Sequence, residues 1–169
     1  MTIRRLLETG EPNHAALILA DHAITYQELD DQIVQATEQL IQLGFRKGDR
    51  IGLAFPNGLE MIVSFLAAST VGTAAPLNPA YTRDEFKFYL EDMTARGLIV
   101  PRHGADEARA AAREISVPVI DCAIDEKVGD AAQGLDPARD RSVGERSLQF
   151  IEQAFRSGGV FQTHGSVLE

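Results

Sequence analysis

The sequence predicts a doubly wound α/β fold, with a mainly parallel sheet that carries helices on both faces and a β-hairpin before it. Three observations lead to this fold class. From Ile51 to Tyr81, a strand–helix–strand pattern has the length of a βαβ unit, about 30 residues. Its strand runs do not alternate apolar and polar residues, as expected for parallel strands covered on both faces. Apolar runs and helical segments then keep alternating up to Cys122.

The βαβ unit contains the most apolar segment of the chain. Its first strand is predicted over Ile51 to Phe55 and its second over Thr73 to Leu77. The helix between them, Leu59 to Val71, is apolar on almost every side, which is typical of a buried helix. Gly72 ends this helix, and we expect it to turn left-handed.

A β-hairpin and an amphipathic helix are predicted before this unit. Ala15 to Ala20 and Ala23 to Tyr26 are strand-like runs, joined by the two-residue turn Asp21-His22. Thr25 and Glu28 match a capping box that opens the helix. The apolar face of this helix follows steps of three and four residues: Tyr26, Leu29, Ile33, Ala36, Leu40 and Leu43.

The same capping pattern is expected at two later helix starts. Asn57 with Glu60 matches it at the buried helix, and Thr82 with Glu85 matches it before an apolar face that begins at Phe86. Each pair would satisfy two of the backbone N–H groups that a helix start leaves without partners.

Further strands and one more helix are predicted up to Cys122. Leu98 to Val100 and Val117 to Asp121 are short apolar strand runs. Ala105 to Ile115 is alanine-rich and therefore favours a helix. Residues 123–146 are polar and read as a long loop or linker, and Ser147 to Phe155 could form a short helix. An α/β sheet that ends on such a tail suggests a chain cut short.

Composition excludes several classes of function. The 169-residue chain is one domain or a large part of one, and its net charge of −9 argues against a nucleic-acid partner. No apolar run reaches about 18 residues, so no membrane span is expected. The single cysteine, Cys122, cannot form an internal disulfide, which favours a reducing compartment such as the cytoplasm.

No motif assigns a catalytic, nucleotide-binding or metal-binding residue. Glycine-rich phosphate motifs and metal-ligand spacings are absent from the sequence. We therefore interpret the histidines as solvated, Cys122 as a small buried side chain, and the serines of the apolar helix as bonded within that helix. These histidines and serines are His14, His22, His103, His164, Ser64 and Ser69.

Two asparagines follow the ends of predicted strands, where open α/β sheets bind ligands. Asn57 follows the first strand of the βαβ unit, and Asn78 follows the second. We favour a helix cap for Asn57 and a turn before Pro79 for Asn78. Arg83, Lys87 and Glu85 are interpreted as a solvated helix face.

Several segments together resemble the adenylate-forming enzymes, which include acyl-CoA synthetases, amino-acid adenylating domains and luciferases. The segments are ITYQEL (24–29), LGFRKGDRI (43–51), PNGLE (56–60) and AASTVGTAAPLNP (67–79). The segment APLNPAYT (75–82), followed by Glu85-Phe86 and Phe88-Tyr89-Leu90, looks most like the oxalate–CoA ligase branch.

The resemblance implies the N-terminal part of an ATP-dependent carboxylate–CoA ligase. Such enzymes join a carboxylate to AMP with release of pyrophosphate and then pass the acyl group to the thiol of CoA. ATP, Mg²⁺, CoA and a small carboxylate are the cofactors and partners of the whole enzyme. The resemblance divides the chain into an N-terminal α/β subdomain (1–122), a linker (123–146) and a degenerate phosphate-loop region with a tail (147–169).

The phosphate loop is where the chain departs from the family. Gly159 to Val167 resembles the segment that follows the loop. Upstream of it, Gly158 stands where the lysine should be, Ser157 replaces a proline, and Glu152 replaces a glycine. A local frameshift and a divergent sequence are both compatible with this window.

The resemblance therefore maps no catalytic residue onto this chain, and we predict that the chain alone is inactive. Two alternatives remain. One is a non-catalytic α/β scaffold or interaction module; the other is a divergent nucleotide-binding domain that uses Asn57 and Asn78. The sheet surface is also expected to promote self-association.

Overall fold

The computed structural model describes residues 7, 10–19, 23–124 and 161–163, and over these residues it forms two sheets and four helices. Their bounds in chain order are β1 (Ala15–Ile18), β2 (Ala23–Thr25), α1 (Tyr26–Gln42), β3 (Arg50–Leu53), α2 (Leu59–Val71), β4 (Thr73–Pro76), α3 (Arg83–Asp92), β5 (Gly97–Pro101), α4 (Asp106–Glu114), β6 (Val119–Cys122) and β7 (Phe161–Thr163).

The main sheet has five strands in the order β4-β3-β5-β6-β7, and β1 pairs with β2 in a separate antiparallel hairpin. Strands β4, β3, β5 and β6 are parallel, so Ile51 lies opposite both Ala74 and Gly97. Strand β7 pairs antiparallel with β6, with Phe161 opposite Cys122. The predicted fold class is therefore confirmed.

Helices cover both faces of the parallel sheet. On β5, Ile99 belongs to the core cluster beneath α1 and α2, whereas Leu98 and Val100 belong to the cluster beneath α3 and α4. This alternation follows from the two-residue period of a strand. Because both faces are buried, β3, β5 and β6 consist of apolar runs with little alternation.

Two of the three predicted capping boxes are confirmed. The Thr25 hydroxyl accepts from the Glu28 amide at 3.2 Å, and the Glu28 carboxylate accepts from the Thr25 amide at 2.8 Å. Thr82 and Glu85 make the same reciprocal pair at the start of α3. The prediction for Asn57 is wrong, because α2 begins after Gly58 and has no side-chain cap.

Gly72 ends α2 as predicted, but it is not left-handed. Its φ is −145°, so a left-handed backbone does not explain the glycine. The reason is space: a Cβ at this position would lie 2.6 Å from the carbonyl oxygen of Asp49. That oxygen accepts a 2.8 Å hydrogen bond from the amide of Thr73, at the start of the β3–β4 pairing.

We predict that Gly72→Ala lowers the free energy of unfolding by about 2–3 kcal/mol, the cost of forcing a methyl group into a packed site. Urea unfolding followed by circular dichroism would measure the change. Gly58→Ala is the matched control, because a Cβ there meets nothing within 4 Å. Equal stability of the two variants would contradict the steric explanation.

The C-terminal part of the chain is described only at β7. The predicted short helix (147–155), almost all of the predicted linker (123–146) and the degenerate phosphate loop lie outside the described residues. Strand β7 was not predicted from the sequence, because its three residues are too few to show an alternating pattern. No helix in the described ranges is long and apolar enough to cross a membrane.

Candidate functional site

The candidate site is the carboxyl edge of the parallel sheet, where β3, β4, β5 and β6 all end. The connection from β3 leads through α2 to β4, on one side of the sheet order. The connection from β5 leads through α4 to β6, on the other side. The connections that leave β3 and β5 therefore diverge, which makes this the topological switch point of the sheet. Residues 54–58 and 102–105 form these two connections.

Asn57 and Asn78 both lie at this edge, but their roles differ. Asn57 is exposed and does not cap α2. The side-chain oxygen of Asn78 accepts from the Ala80 amide at 3.0 Å, and its backbone oxygen accepts from the Tyr81 amide at 3.1 Å. The predicted turn at Asn78 is therefore confirmed, and its side-chain oxygen helps to shape that turn.

A buried ion pair fixes the connection after β5. The Arg109 guanidinium on α4 lies 2.7 Å from the Asp121 carboxylate on β6, and the two side chains are only 10% and 5% exposed. Arg109 also donates to the carbonyl oxygens of Pro101 at 2.6 Å and Gly104 at 2.8 Å. One cation thus joins β6, the end of β5 and the start of α4.

Sequence reasoning missed this pair because it treated residues 105–115 only as an alanine-rich helix. A usable signal was present. Arg109 falls on the buried face of that helix, among Ala108, Ala111 and Ala112, and Asp121 interrupts an otherwise apolar strand. Two opposite charges on elements that are both buried are expected to pair, because burial of a lone charge is costly.

Cys122 ends β6 and is buried as a free thiol, as predicted. The Ser64 hydroxyl on α2 donates to its sulfur at 3.5 Å, instead of bonding within its own helix as expected. Burial raises the pKa of the Cys122 thiol to about 12, and the hydrogen bond from Ser64 opposes that rise. The neutral thiol is a weak nucleophile, so Cys122 acts as a core residue.

We predict that the Cys122 thiol in the folded chain does not react with a disulfide reagent at pH 8. At that pH, raising a thiol pKa from its usual 8.5 to about 12 lowers the thiolate fraction roughly a thousandfold. Burial of the sulfur would slow the reaction further. Absorbance would follow the reaction with Ellman's reagent, and the guanidinium-unfolded chain is the control. Stoichiometric labelling of the folded chain within minutes would contradict the burial of this thiol.

The remaining candidates are the histidines and Ser69. His14 and His103 are exposed, and His14 lies 3.2 Å from the Glu11 carboxylate; His22 and His164 lie outside the described residues. Ser69 is half-buried on α2. Across the described ranges, no group of three or more His, Cys, Asp or Glu side chains could hold a metal ion.

The parallel sheet with its helices and the separate hairpin agree with the fold class predicted from the sequence. A protein-family model described as "AMP-binding enzyme" matches residues 8–151. The chain belongs to this family. The part that it represents is the N-terminal part of the AMP-binding fold, which confirms the recognition made from the sequence segments.

Two curated relatives are plant CoA ligases. The chain is 37% identical over 125 residues to the probable CoA ligase CCL9 of Humulus lupulus, covering 73% of this chain and 23% of that protein. It is 38% identical over 96 residues to the oxalate–CoA ligase of Arabidopsis thaliana, covering 56% of this chain and 19% of that protein. The chain thus spans about a fifth of the length of these AMP-binding relatives.

Solved structures of two other proteins share this fold. The chain superposes on MatB from Rhodopseudomonas palustris with a TM-score of 0.63 and 27% identity, over 80% of this chain and 28% of MatB. It superposes on the O-succinylbenzoate coenzyme A synthetase MenE of Bacillus subtilis, solved in complex with AMP, with a TM-score of 0.61 and 28% identity, over 70% of this chain and 30% of MenE.

Proposed function

We propose that this chain forms the N-terminal part of an ATP-dependent carboxylate–CoA ligase. The supporting observation is the family match over residues 8–151, together with relatives that are named as CoA and oxalate–CoA ligases. In the proposed reaction the carboxylate displaces pyrophosphate from ATP to form an acyl adenylate. The CoA thiol then attacks the acyl carbon and releases AMP.

The described residues contribute a framework to this reaction. They hold the carboxyl edge of the sheet in a fixed shape through the buried Arg109–Asp121 pair and the Asn78 turn. We propose that ATP and Mg²⁺ are bound by other parts of the full-length enzyme. This fits the absence of a metal-binding cluster from the described ranges and the loss of the phosphate-loop lysine at Gly158.

We also propose that the chain divides into a subdomain (1–122), a linker (123–146) and a degenerate phosphate-loop region with a tail (147–169). On this division the chain behaves as a fragment and has no ligase activity by itself. We further propose a cytoplasmic location, since the single cysteine is a buried free thiol. We also propose self-association through exposed sheet surface, which would have to use the border strand β4, because helices cover both faces of the parallel sheet.

A chimeric enzyme tests the proposed role of the framework. Residues 15–122 would replace the equivalent segment of the Arabidopsis thaliana oxalate–CoA ligase, and formation of oxalyl-CoA would be measured with ATP, Mg²⁺ and CoA. We expect activity within about tenfold of the parent, equivalent to a barrier change of about 1.4 kcal/mol. A folded chimera without activity would contradict the proposal, and ligase activity of the isolated 169-residue chain would contradict the fragment assignment.

A non-catalytic scaffold is the second candidate, and the replaced phosphate loop favours it. Glu152 would repel a phosphate group, and Gly158 provides no positive charge in place of the lysine. Calorimetry of the isolated chain with ATP and Mg²⁺ separates the candidates. Saturable binding would favour a residual nucleotide site, and no heat of binding would favour the scaffold.

A further inference from the structure

Helix α3 presents an exposed phenylalanine surrounded by carboxylates. Phe88 is 61% exposed, although its helix is otherwise anchored by the buried residues Phe86 and Leu90. Residues three and four positions away on a helix are neighbours of a central side chain. All four such positions around Phe88 are acidic and exposed: Asp84, Glu85, Glu91 and Asp92. We call Phe88 and these four carboxylates the Phe88 patch.

The cations of α3 are directed away from the Phe88 patch. Arg83 lies 3.2 Å from the Glu114 carboxylate and 4.0 Å from that of Glu107, and Lys87 lies 3.8 Å from Glu114. Both Glu114 and Glu107 belong to α4. Beyond the C-terminal end of α3, the Arg50 side chain donates to the carbonyl oxygen of Met93. The patch therefore combines an aromatic ring with excess negative charge.

Neighbouring aromatic rings hold Phe88 in place. The Phe88 and Tyr89 rings meet edge to face with centroids 5.2 Å apart, and Tyr89 stacks on Tyr81 at 5.1 Å. Tyr81 in turn contacts the buried Phe86 ring at 5.8 Å. A chain of rings thus links the exposed residue to the core. An ordered ring loses little freedom when a partner binds it.

The carboxylate of Glu85 is held in its charged form. It accepts hydrogen bonds of 2.8 Å from the backbone amide and from the hydroxyl of Thr82. These bonds lower the pKa of Glu85 below its usual value. At neutral pH the Glu85 carboxylate is charged, and its position three residues before Phe88 makes the two residues neighbours on the helix surface.

We propose that the Phe88 patch binds a basic segment of a partner protein, with an arginine or lysine side chain stacked on Phe88. A cation over an aromatic face is attracted by the ring, and the surrounding carboxylates add charge attraction. An uncharged apolar partner would leave those carboxylates without counter-charges, which disfavours it. This inference goes beyond the proposed ligase function, because it uses no group at the carboxyl edge of the sheet.

Fluorescence anisotropy with a labelled nona-arginine peptide and the full 169-residue chain tests this proposal. At about 0.05 M salt, where screening is weak, we expect saturable one-to-one binding. Phe88→Leu keeps the apolar volume but removes the ring, and is expected to weaken binding about threefold. The double variant Asp84→Asn/Asp92→Asn is expected to weaken binding about tenfold.

The control double variant is Asp31→Asn/Glu38→Gln on the solvent-facing side of α1, which removes the same charge elsewhere. This control should change the affinity for the peptide less than about twofold, because single exposed charges usually contribute little. Equal weakening by the two double variants would overturn the proposal, because attraction would then come from net charge alone. Absence of binding, full displacement by an equal concentration of spermine, or a Phe88-dependent dimer in sedimentation would each also overturn it.

Discussion

Replacing Phe86 by alanine is expected to lower the free energy of unfolding by about 3–5 kcal/mol, the usual cost of truncating a buried phenylalanine. Phe86 is fully buried between α3 and the sheet, in the cluster that contains Leu98 and Val100. The lost ring would leave a cavity, and Tyr81 would lose its edge-to-face contact. Urea unfolding followed by circular dichroism would measure the loss.

Phe88→Ala is the matched control, because it removes the same side chain two residues further along the same helix. Phe88 is mostly exposed, so we expect a change within about 0.5 kcal/mol, as for other surface substitutions. If the two alanine variants were equally destabilised, α3 would not pack against the sheet as described.

Replacing Arg109 by methionine is expected to cost about 3–5 kcal/mol, because Asp121 would stay buried without its guanidinium counter-charge. The carbonyl oxygens of Pro101 and Gly104 would also lose a donor. The change should appear in the same unfolding measurement. Hydrogen exchange should in addition show faster exchange of amides in residues 102–106 than in the unmodified chain.

Two further variants show whether the charge itself is responsible. The double variant Arg109→Met/Asp121→Leu removes both charges and should recover part of the lost stability. Arg83→Met breaks an exposed ion pair with Glu114 and should cost less than about 1 kcal/mol. A double variant no more stable than Arg109→Met would show that packing around Arg109, and not its charge, is what matters.

The sequence was sufficient for the fold because its local signals agree with one another. The apolar stripe of α1, the apolar surface of α2 and the two Thr–Glu capping boxes each have a local physical cause. The boundaries of β3 to β6 moved by up to two residues from their predicted positions, as element ends commonly do. The order of the strands was not predicted, because periodicity identifies strands but not their neighbours in the sheet.

The features that the sequence did not reveal depend on contacts between distant segments. The exclusion of a side chain at Gly72 comes from the Asp49 carbonyl, more than 20 positions earlier, and no local pattern reports it. The Arg109–Asp121 pair joins two elements, and β7 is recognisable only through its partner β6. Asn57 does not cap α2 because the helix begins one residue later than a cap at Asn57 requires, which makes Gly58 the N-cap residue.

The antiparallel pairing of β7 with β6 has a consequence for how the molecule assembles. Four strands are joined by short helical crossovers, whereas the connection from β6 to β7 runs from residue 123 to residue 160. Bringing together the ends of a long connection costs chain entropy, which only three residue pairs at the border of the sheet offset. We therefore expect β7 to join last during folding and to detach first during unfolding, while the parallel strands stay together.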